Sequence, residues 1–344
     1  MDERSSLSVG EGYFFQYCDA EFGQYTLADE ELHVSDRQSK PHYSLTETQY
    51  YGFFVPEENI HCFTWIWYHP NLNTVTAGTM AFQGHKPIVQ ECELYDFRAF
   101  MSGDVFANGF MSAKFDNGLS VEMTEPGRQF RLTYADDKLG NRFDVLQSAV
   151  SDPLMWPTSH HFEQVMKCEG ELTLRGRTYQ VDCLSVRDRS FSEYRLETPL
   201  AIPPNSWVTA TFDESFSFCV VGMDHPDLDP VWKGDFEIDP GSLLRFGWMV
   251  VDGEQIAVRT ARTKIDYDRV TLLPRSIVTT ITDTRGREYH AKGEVTAAAP
   301  LDAWMNARTP ICLVKWECQG RSGIGEIQQL QFSEFIRAMR AKGQ

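Results

Sequence analysis

The stretch GELTLRGRTYQVDCLSVRDRSFSEYR, residues 170–195, decides the fold, because in it an alternating strand runs directly into a block of charge. Polar and apolar side chains alternate from Gly170 to Leu184, which indicates a half-buried antiparallel strand. The block that follows, Val186–Arg195, holds three arginines, an aspartate and a glutamate around two aromatic residues. Charged side chains are rarely buried unless they are paired. The block is therefore either an exposed rim of salt bridges or a buried polar network at a site.

The same alternation recurs along both halves of the chain. In the first half it marks residues 73–82, 118–122 and 129–134. In the second half it marks eight segments: Trp207–Phe212, Ser215–Val221, Leu243–Val251, Gln255–Arg262, Ser276–Thr282, Glu288–Val295, Ile311–Gln319 and Gly325–Phe332. The pairs Asn117-Gly118, Asp252-Gly253 and Arg285-Gly286 lie where hairpin turns are needed. This count of strands predicts an all-β protein with a closed or nearly closed antiparallel barrel in each half.

One helix and one domain boundary are predicted outside the strands. Ser333 is suited to the N-cap of a short C-terminal helix that ends at Gly343. Pro203-Pro204 cannot donate hydrogen bonds to a sheet, so the linker is predicted at Leu200–Asn205. We expect a first domain at residues 1–200 and a second at 201–344, with the charged block beside their junction.

Composition narrows the possible partners. The chain has 344 residues, 42% of them hydrophobic, and a formal net charge of -17. Such an acidic protein is a poor partner for nucleic acid or anionic membranes, and an uncharged or cationic ligand fits it better. The sequence contains no run of about eighteen apolar residues, so no membrane-spanning helix is predicted. Eight cysteines without a CxxC pair, and an N-terminus without an apolar leader, predict a cytoplasmic protein with reduced thiols. Oligomeric state is left open.

The chain lacks the common sequence motifs for nucleotides, other cofactors and metals. The chain has no GxGxxG after a strand, no GxxxxGK[ST], no GxSxG and no HExxH. We therefore expect no nucleotide or other cofactor and no metal centre.

The charged block resembles a known signature. Arg187-Asp188-Arg189-Ser190-Phe191 is similar to the Arg-Asp-His-Ser-Trp-Gly motif of proteins related to hydroxyneurosporene synthase, a carotenoid hydratase. His161–Gln164 and Gly320–Glu326 also resemble that group, in the same order. The resemblance implies a calycin-type protein with two lipocalin-like barrels in tandem. It also implies hydratase, dehydratase or cyclase chemistry on isoprenoid-type substrates. The chain departs from the motif at Arg189, Phe191 and Ser192.

The resemblance and the residues together suggest three catalytic candidates. The resemblance implies that Asp188 is the proton donor; alternation places Arg187 and Arg189 on the face opposite to it. The alternative is that Asp188 is a salt-bridged corner residue. Glu47 is a second acid or a solvated strand start, and His161 is a base or a proton relay, because imidazole titrates near neutral pH.

Aromatic residues are candidates for the wall of the substrate site. Trp65 and Trp67 alternate on one face of a strand, and ring faces attract cations such as a carbocation. Phe191 and Tyr194 in the charged block are also predicted to bind substrate. The alternative for such rings is an ordinary place in the core.

Two functions remain open at this point. The first is a cofactor-independent lyase or isomerase that dehydrates, hydrates or cyclises a terpenoid- or steroid-like substrate by acid catalysis. The second is a non-catalytic carrier of lipids or isoprenoids, in which the charged block only holds the two barrels together.

Overall fold

The computed structural model describes residues 21–32, 43–106, 109–194, 202–225, 243–304 and 306–342, without the side chains of residues 192–194 and 303–304. The chain divides into two compact units. The first unit comprises residues 22–197 with 297–299, and the second comprises residues 1–21, 198–296 and 300–344. The boundary predicted between residues 200 and 201 lies outside the described residues and stays a prediction.

The first unit is built around a single antiparallel sheet of eleven strands. A short 3-10 helix, Leu27–Glu30, precedes them. The strands are β1 (Leu45–Val55), β2 (Ile60–His69), β3 (Thr74–Gln83), β4 (Leu94–Ser102), β5 (Ser112–Lys114), β6 (Ser120–Glu125), β7 (Gln129–Asp136), β8 (Asn141–Ala149), β9 (Leu154–Met155), β10 (His161–Leu174) and β11 (Arg177–Tyr194).

The sheet curls until its two ends approach each other. Its strand order is β4-β3-β2-β1-β11-β10-β8-β7-β6-β5, and β9 pairs with β10. Among the described strands no backbone ladder joins β4 to β5, but side chains cross this gap. The Asn117 amide donates to the carbonyl oxygen of Asp96 at 3.0 Å, and the Tyr134 hydroxyl donates to the Asp96 carboxylate at 3.1 Å. The result is a half-barrel.

The concave side of the half-barrel is its core, which we call the interior face. Rings from strands that are not neighbours in the sheet meet there, at 5.7 Å between the centroids of Tyr51 and Phe130 and at 5.3 Å between Phe53 and Phe143. Residues of alternate parity on the same strands lie on the other side of the sheet, which we call the reverse face.

The second unit is a closed antiparallel barrel of eight strands in sequence order. Trp248 and Trp316 are fully buried, and Phe218 packs edge-on against Trp316. A cavity beside Ser206 and Val208 measures about 10 Å³, the size of one water. The strands are β12 (Asn205–Asp213), β13 (Phe216–Met223), β14 (Leu244–Val251), β15 (Glu254–Tyr267), β16 (Pro274–Asp283), β17 (Glu288–Trp304), β18 (Ala307–Cys318) and β19 (Arg321–Phe332).

The prediction of an all-β fold with a short C-terminal helix is confirmed. All eight strands predicted in the second half form, and Asp252-Gly253 makes the turn between β14 and β15 with positive φ at both residues. The helix α1 spans Ser333–Lys342, and its Phe335 packs on Tyr267. Gly343, the predicted helix end, lies outside the described residues. No helix in the described part of the chain is long and apolar enough to cross a membrane.

Candidate functional site

Two rows of residues cross β2, β1, β11 and β10 on the reverse face. In each row the residues are directly opposite one another in neighbouring antiparallel strands, so their side chains lie on the same side of the sheet. The first row is Trp67, Thr48, Ser190 and His161, and the second is Trp65, Tyr50, Asp188 and Glu163. The structure thus brings together four predicted site residues: Asp188, His161, Trp65 and Trp67.

A chain of hydrogen bonds links the β10 end of these rows. The Nε2 of His161 lies 3.0 Å from Glu163 Oε1, and the Nδ1 of His161 lies 2.6 Å from Ser190 Oγ. Since a carboxylate only accepts, Nε2 carries the proton in the neutral ring and Nδ1 accepts from the Ser190 hydroxyl. The Trp156 indole donates to Glu163 Oε2 at 2.7 Å. All four side chains are buried, so the tautomer and orientation of His161 are held from both sides.

Asp188 is half-buried and lies directly opposite Glu163. Two carboxyl groups opposite each other in a strand pair have Cβ atoms about 5 Å apart. Ser190 follows Asp188 on the same face of β11, roughly 7 Å further along the strand at about 3.3 Å per residue. An acid and a hydroxyl–imidazole pair therefore lie side by side, with the stacked rings of Trp65 and Trp67, 5.3 Å apart, on the same face.

The two arginines that flank Asp188 point the other way, as alternation predicts. Arg187 lies on the interior face, where its guanidinium packs 4.1 Å from the centroid of the Phe130 ring. It forms a forked ion pair with Glu30 and donates from Nε to Gln164 Oε1 at 2.8 Å. Burial alone raises the pKa of the Glu30 carboxyl, but the attraction of Arg187 outweighs burial and holds that pKa below its usual range. This pair is fully buried.

Arg189 forms the second buried ion pair of the interior face. It donates to Glu47 Oε2 at 2.9 Å, and to the backbone carbonyl oxygens of Asp29 at 2.7 Å and Glu31 at 2.6 Å. Its guanidinium lies over the ring of Phe110 at 4.2 Å. Arg187 and Arg189, the two arginines of the charged block that the structure describes, therefore belong to a buried polar network.

Arg187 and Arg189 hold the segment around the 3-10 helix Leu27–Glu30 against the interior face. The contact between Glu30 and Arg187 is long-range, since the two residues are 157 positions apart, and no local sequence pattern predicts the pair. Arg195, the last arginine of the charged block, lies outside the described residues.

The structure separates the remaining candidates from the reverse face. Glu47 is neither solvated nor beside Asp188, because alternation along β1 places it with Tyr51 on the interior face, where it is buried and paired with Arg189. Phe191 packs with Met155 and Phe162 in a small core cluster. The backbone of Tyr194 pairs with Leu45, but its side chain lies outside the described part.

Sequence reasoning missed Glu163, Ser190, Trp156 and Glu30. A signal was available for Glu163, since it is two residues from His161 on the same strand and must share its face. The seven cysteines that the structure describes are buried, and no disulfide joins any two of them. Among the same residues no group of three or more His, Cys, Asp or Glu is arranged to hold a metal ion.

Comparisons with known proteins place the fold. The family described as Domain of unknown function (DUF7064) matches residues 26–333. A crystal structure from Nitrosomonas europaea, provisionally designated AttH, shares 11% identity over 90% of this chain and 97% of that one, with a TM-score of 0.61. Kievitone hydratase from Nectria haematococca shares 11% identity over 94% of this chain and 99% of that one, with a TM-score of 0.51. A comparison with curated proteins gives no match. At such low identity the two structures show a shared fold.

Proposed function

This chain belongs to the DUF7064 family, and we propose that it is a cofactor-independent lyase or isomerase that acts on a hydrophobic, terpenoid- or steroid-like substrate. The observation that carries the proposal is the buried chain of hydrogen bonds from Ser190 through His161 to Glu163, directly beside Asp188. The fold shared with a hydratase is consistent with it but does not identify the reaction.

The proposed chemistry is the addition of water to a carbon–carbon double bond, or its reverse. Asp188 is the acid: it gives its proton to one carbon of the alkene. The neighbouring carbon becomes cationic, and the ring faces of Trp65 and Trp67 favour positive charge beside them.

The base of the reaction is His161, acting through Ser190. As water adds to the cation, it passes a proton to Ser190 Oγ while the Ser190 hydroxyl proton moves to His161 Nδ1. Glu163 accepts the hydrogen bond from Nε2 and stabilises the imidazolium that forms. Glu47, which is paired with Arg189 on the interior face, has no part in this scheme.

The first experiment identifies the substrate class. Native mass spectrometry of freshly purified protein should detect a bound apolar molecule. That molecule and its dehydrated or hydrated partner are then incubated with the protein in ¹⁸O-labelled water, and a hydro-lyase should place labelled oxygen in the product. Release of unchanged ligand in every incubation would favour the carrier function, and recovery of only polar or anionic ligands would contradict both functions.

The second experiment assigns the acid and the base. Asp188→Asn and Ser190→Ala should each lower turnover about 100-fold or more, the usual contribution of acid–base catalysis, and should leave the ligand bound and the fold intact. Asp182→Asn is the matched control, because Asp182 lies on the same strand in an exposed pair with Lys167. Unchanged turnover in Asp188→Asn, with reduced stability, would remove Asp188 from the mechanism.

A further inference from the structure

Cys168 and Cys183 form a pair of thiols in the first unit. The two residues are directly opposite each other on β10 and β11, and both side chains are buried. Of the seven cysteines that the structure describes, only these two face each other across neighbouring strands. Opposed residues in antiparallel strands have Cα atoms about 4.5 or 5.5 Å apart, and a disulfide accommodates Cα atoms about 4.4–6.8 Å apart. The backbone is therefore already placed for a bond between the two sulfur atoms.

Contacts with β1 bring the two sulfur atoms together. The Cys183 Sγ accepts a hydrogen bond from the backbone N–H of Phe54 at 3.3 Å. The Cys168 Sγ lies 3.8 Å from the carbonyl oxygen of Gly52, within reach of a weak S–H donor. Gly52 and Phe54 are two residues apart on one strand, roughly 7 Å along it. Both thiols therefore converge on the same short piece of backbone.

The surroundings of the two thiols differ. The Phe54 N–H stabilises negative charge on the Cys183 sulfur, and Cys183 is 7% exposed whereas Cys168 is 0% exposed. Burial, and then the neighbouring Cys183 thiol, raises the pKa of the Cys168 thiol well above its usual range. The thiolate is the nucleophilic form of cysteine. Cys183 is thus suited to react first with an oxidant, and Cys168 is suited to react second, as a protonated thiol.

A disulfide at this place costs few hydrogen bonds. It has no S–H group, so the contact of Cys168 with the Gly52 carbonyl oxygen is lost. That oxygen keeps the hydrogen bond from Gln147 Nε2 at 2.9 Å, and the Cys183 sulfur still accepts from Phe54. The bond also closes a loop of about 15 residues, and such a closure stabilises the folded state because it restricts the unfolded chain.

We propose that Cys168 and Cys183 are a site of reversible oxidation, at which a peroxide joins β10 to β11 through a disulfide. The Cys183 thiolate attacks one oxygen of hydrogen peroxide and the O–O bond breaks, which leaves a sulfenic acid and a hydroxide. The hydroxide takes up the proton that the Cys183 thiol released. The Cys168 sulfur then attacks the Cys183 sulfur, and the sulfenic hydroxyl leaves as water with the Cys168 proton.

The electrons of this step balance. The two thiols give up two electrons, the peroxide accepts them, and two molecules of water form. A dithiol reverses the step by thiol–disulfide exchange. The site is independent of the reaction proposed above.

The test is peptide mass spectrometry of the folded protein after treatment with hydrogen peroxide. Trypsin places the two cysteines on separate peptides, residues 168–175 and 178–187. After the remaining thiols are alkylated in denaturant, these peptides should be found linked, with the loss of two hydrogen atoms, and dithiothreitol should separate them. The urea midpoint of the oxidised protein should be about 1 M higher than that of the reduced protein, as expected for a closed loop of this length.

Cys62→Ala is the matched control, because Cys62 is equally buried but lies opposite Ala81 on the neighbouring strand. This variant should form the linked peptides as the wild type does. Cys168→Ala removes the second thiol and should stop the reaction at the Cys183 sulfenic acid, which dimedone traps.

The wild-type protein alone decides the proposal. It is overturned if the two peptides stay unlinked under conditions that fully oxidise N-acetylcysteine in a parallel tube. It is also overturned if the linked protein unfolds at a lower urea concentration than the reduced protein, because the bond would then require the two strands to leave their native positions.

Discussion

The buried pair of Glu30 and Arg187 offers the sharpest test of how this half-barrel is held together. In Glu30→Gln the side chain keeps its size, and its remaining oxygen can still accept from the Tyr25 hydroxyl, which lies 3.0 Å from Glu30 Oε1 in the wild type. The Arg187 charge, however, loses its counterion in a fully buried place. Removal of one partner from such a pair costs about 3–5 kcal/mol.

We expect the lower end of that range, about 3 kcal/mol. Arg187 keeps its hydrogen bond to Gln164 and its contact with the Phe130 ring, and both moderate the loss. Urea unfolding followed by tryptophan fluorescence and by circular dichroism measures the effect. At a slope of about 3 kcal/mol per M, the midpoint should fall by about 1 M.

The matched control is Asp144→Asn. Asp144 and Arg131 form a two-bonded ion pair with both side chains about half exposed, and such pairs contribute less than about 1 kcal/mol. Adding Arg187→Met to Glu30→Gln should recover part of the loss, because no buried charge then remains. The reasoning is refuted if Glu30→Gln lowers the midpoint no more than Asp144→Asn does.

Three further predictions concern pH, thiols and glycine packing. The pKa of Glu30 is lowered in the folded state from its usual 4.5, since Arg187 outweighs the opposing effect of burial. The contribution of Glu30 to the free energy of unfolding is therefore fully present above pH 4.5 and is lost as the pH falls through the pKa of the folded state. Urea titrations in acid should thus show the unfolding midpoints of the wild type and Glu30→Gln converging. Burial raises the pKa of the Cys62 thiol to about 12; peptide mass spectrometry should find it unlabelled by thiol reagents at about pH 8 unless denaturant is added, and equal labelling in native protein would contradict this. Gly325→Ala places a methyl group 1.9 Å from the Thr209 carbonyl oxygen and should cost roughly 1–3 kcal/mol in thermal unfolding. Gly320→Asn, in an open turn with φ of 76°, should cost less than about 1 kcal/mol, and a larger loss there than at Gly325 would disprove the packing argument.

The second unit was predictable because its information is local. Each strand from β12 to β19 is announced by alternation over a few residues, and a tight pair such as Asp252-Gly253 joins neighbours in sequence that are also neighbours in the barrel. The helix α1 is likewise readable from Ser333 and the spacing of Phe335, Ile336 and Met339.

The first unit was only partly predictable because its sheet order departs from sequence order. β1 pairs with β11, more than a hundred residues later in the chain. This pairing determines which side chains of the two strands lie opposite each other. Alternation places Asp188 on the opposite face of β11 from Arg187 and Arg189, but it does not determine which face is the interior one. The register of β1 and β10 against β11 supplies that answer.

The sequence by itself determined the all-β class, the strands of the second barrel, the terminal helix and the alternation of Asp188 with its arginines, since each depends on residues close together in the chain. Only the tertiary structure decided that Asp188 and Ser190 share a face with His161 and Glu163, while Glu47 lies on the interior face beside Arg189. The same holds for Glu30, whose segment carries weak local signals and whose partner lies 157 residues away. The physical reason is that a strand's periodicity separates its two faces, whereas the curl and register of the whole sheet determine which face is buried and what it meets.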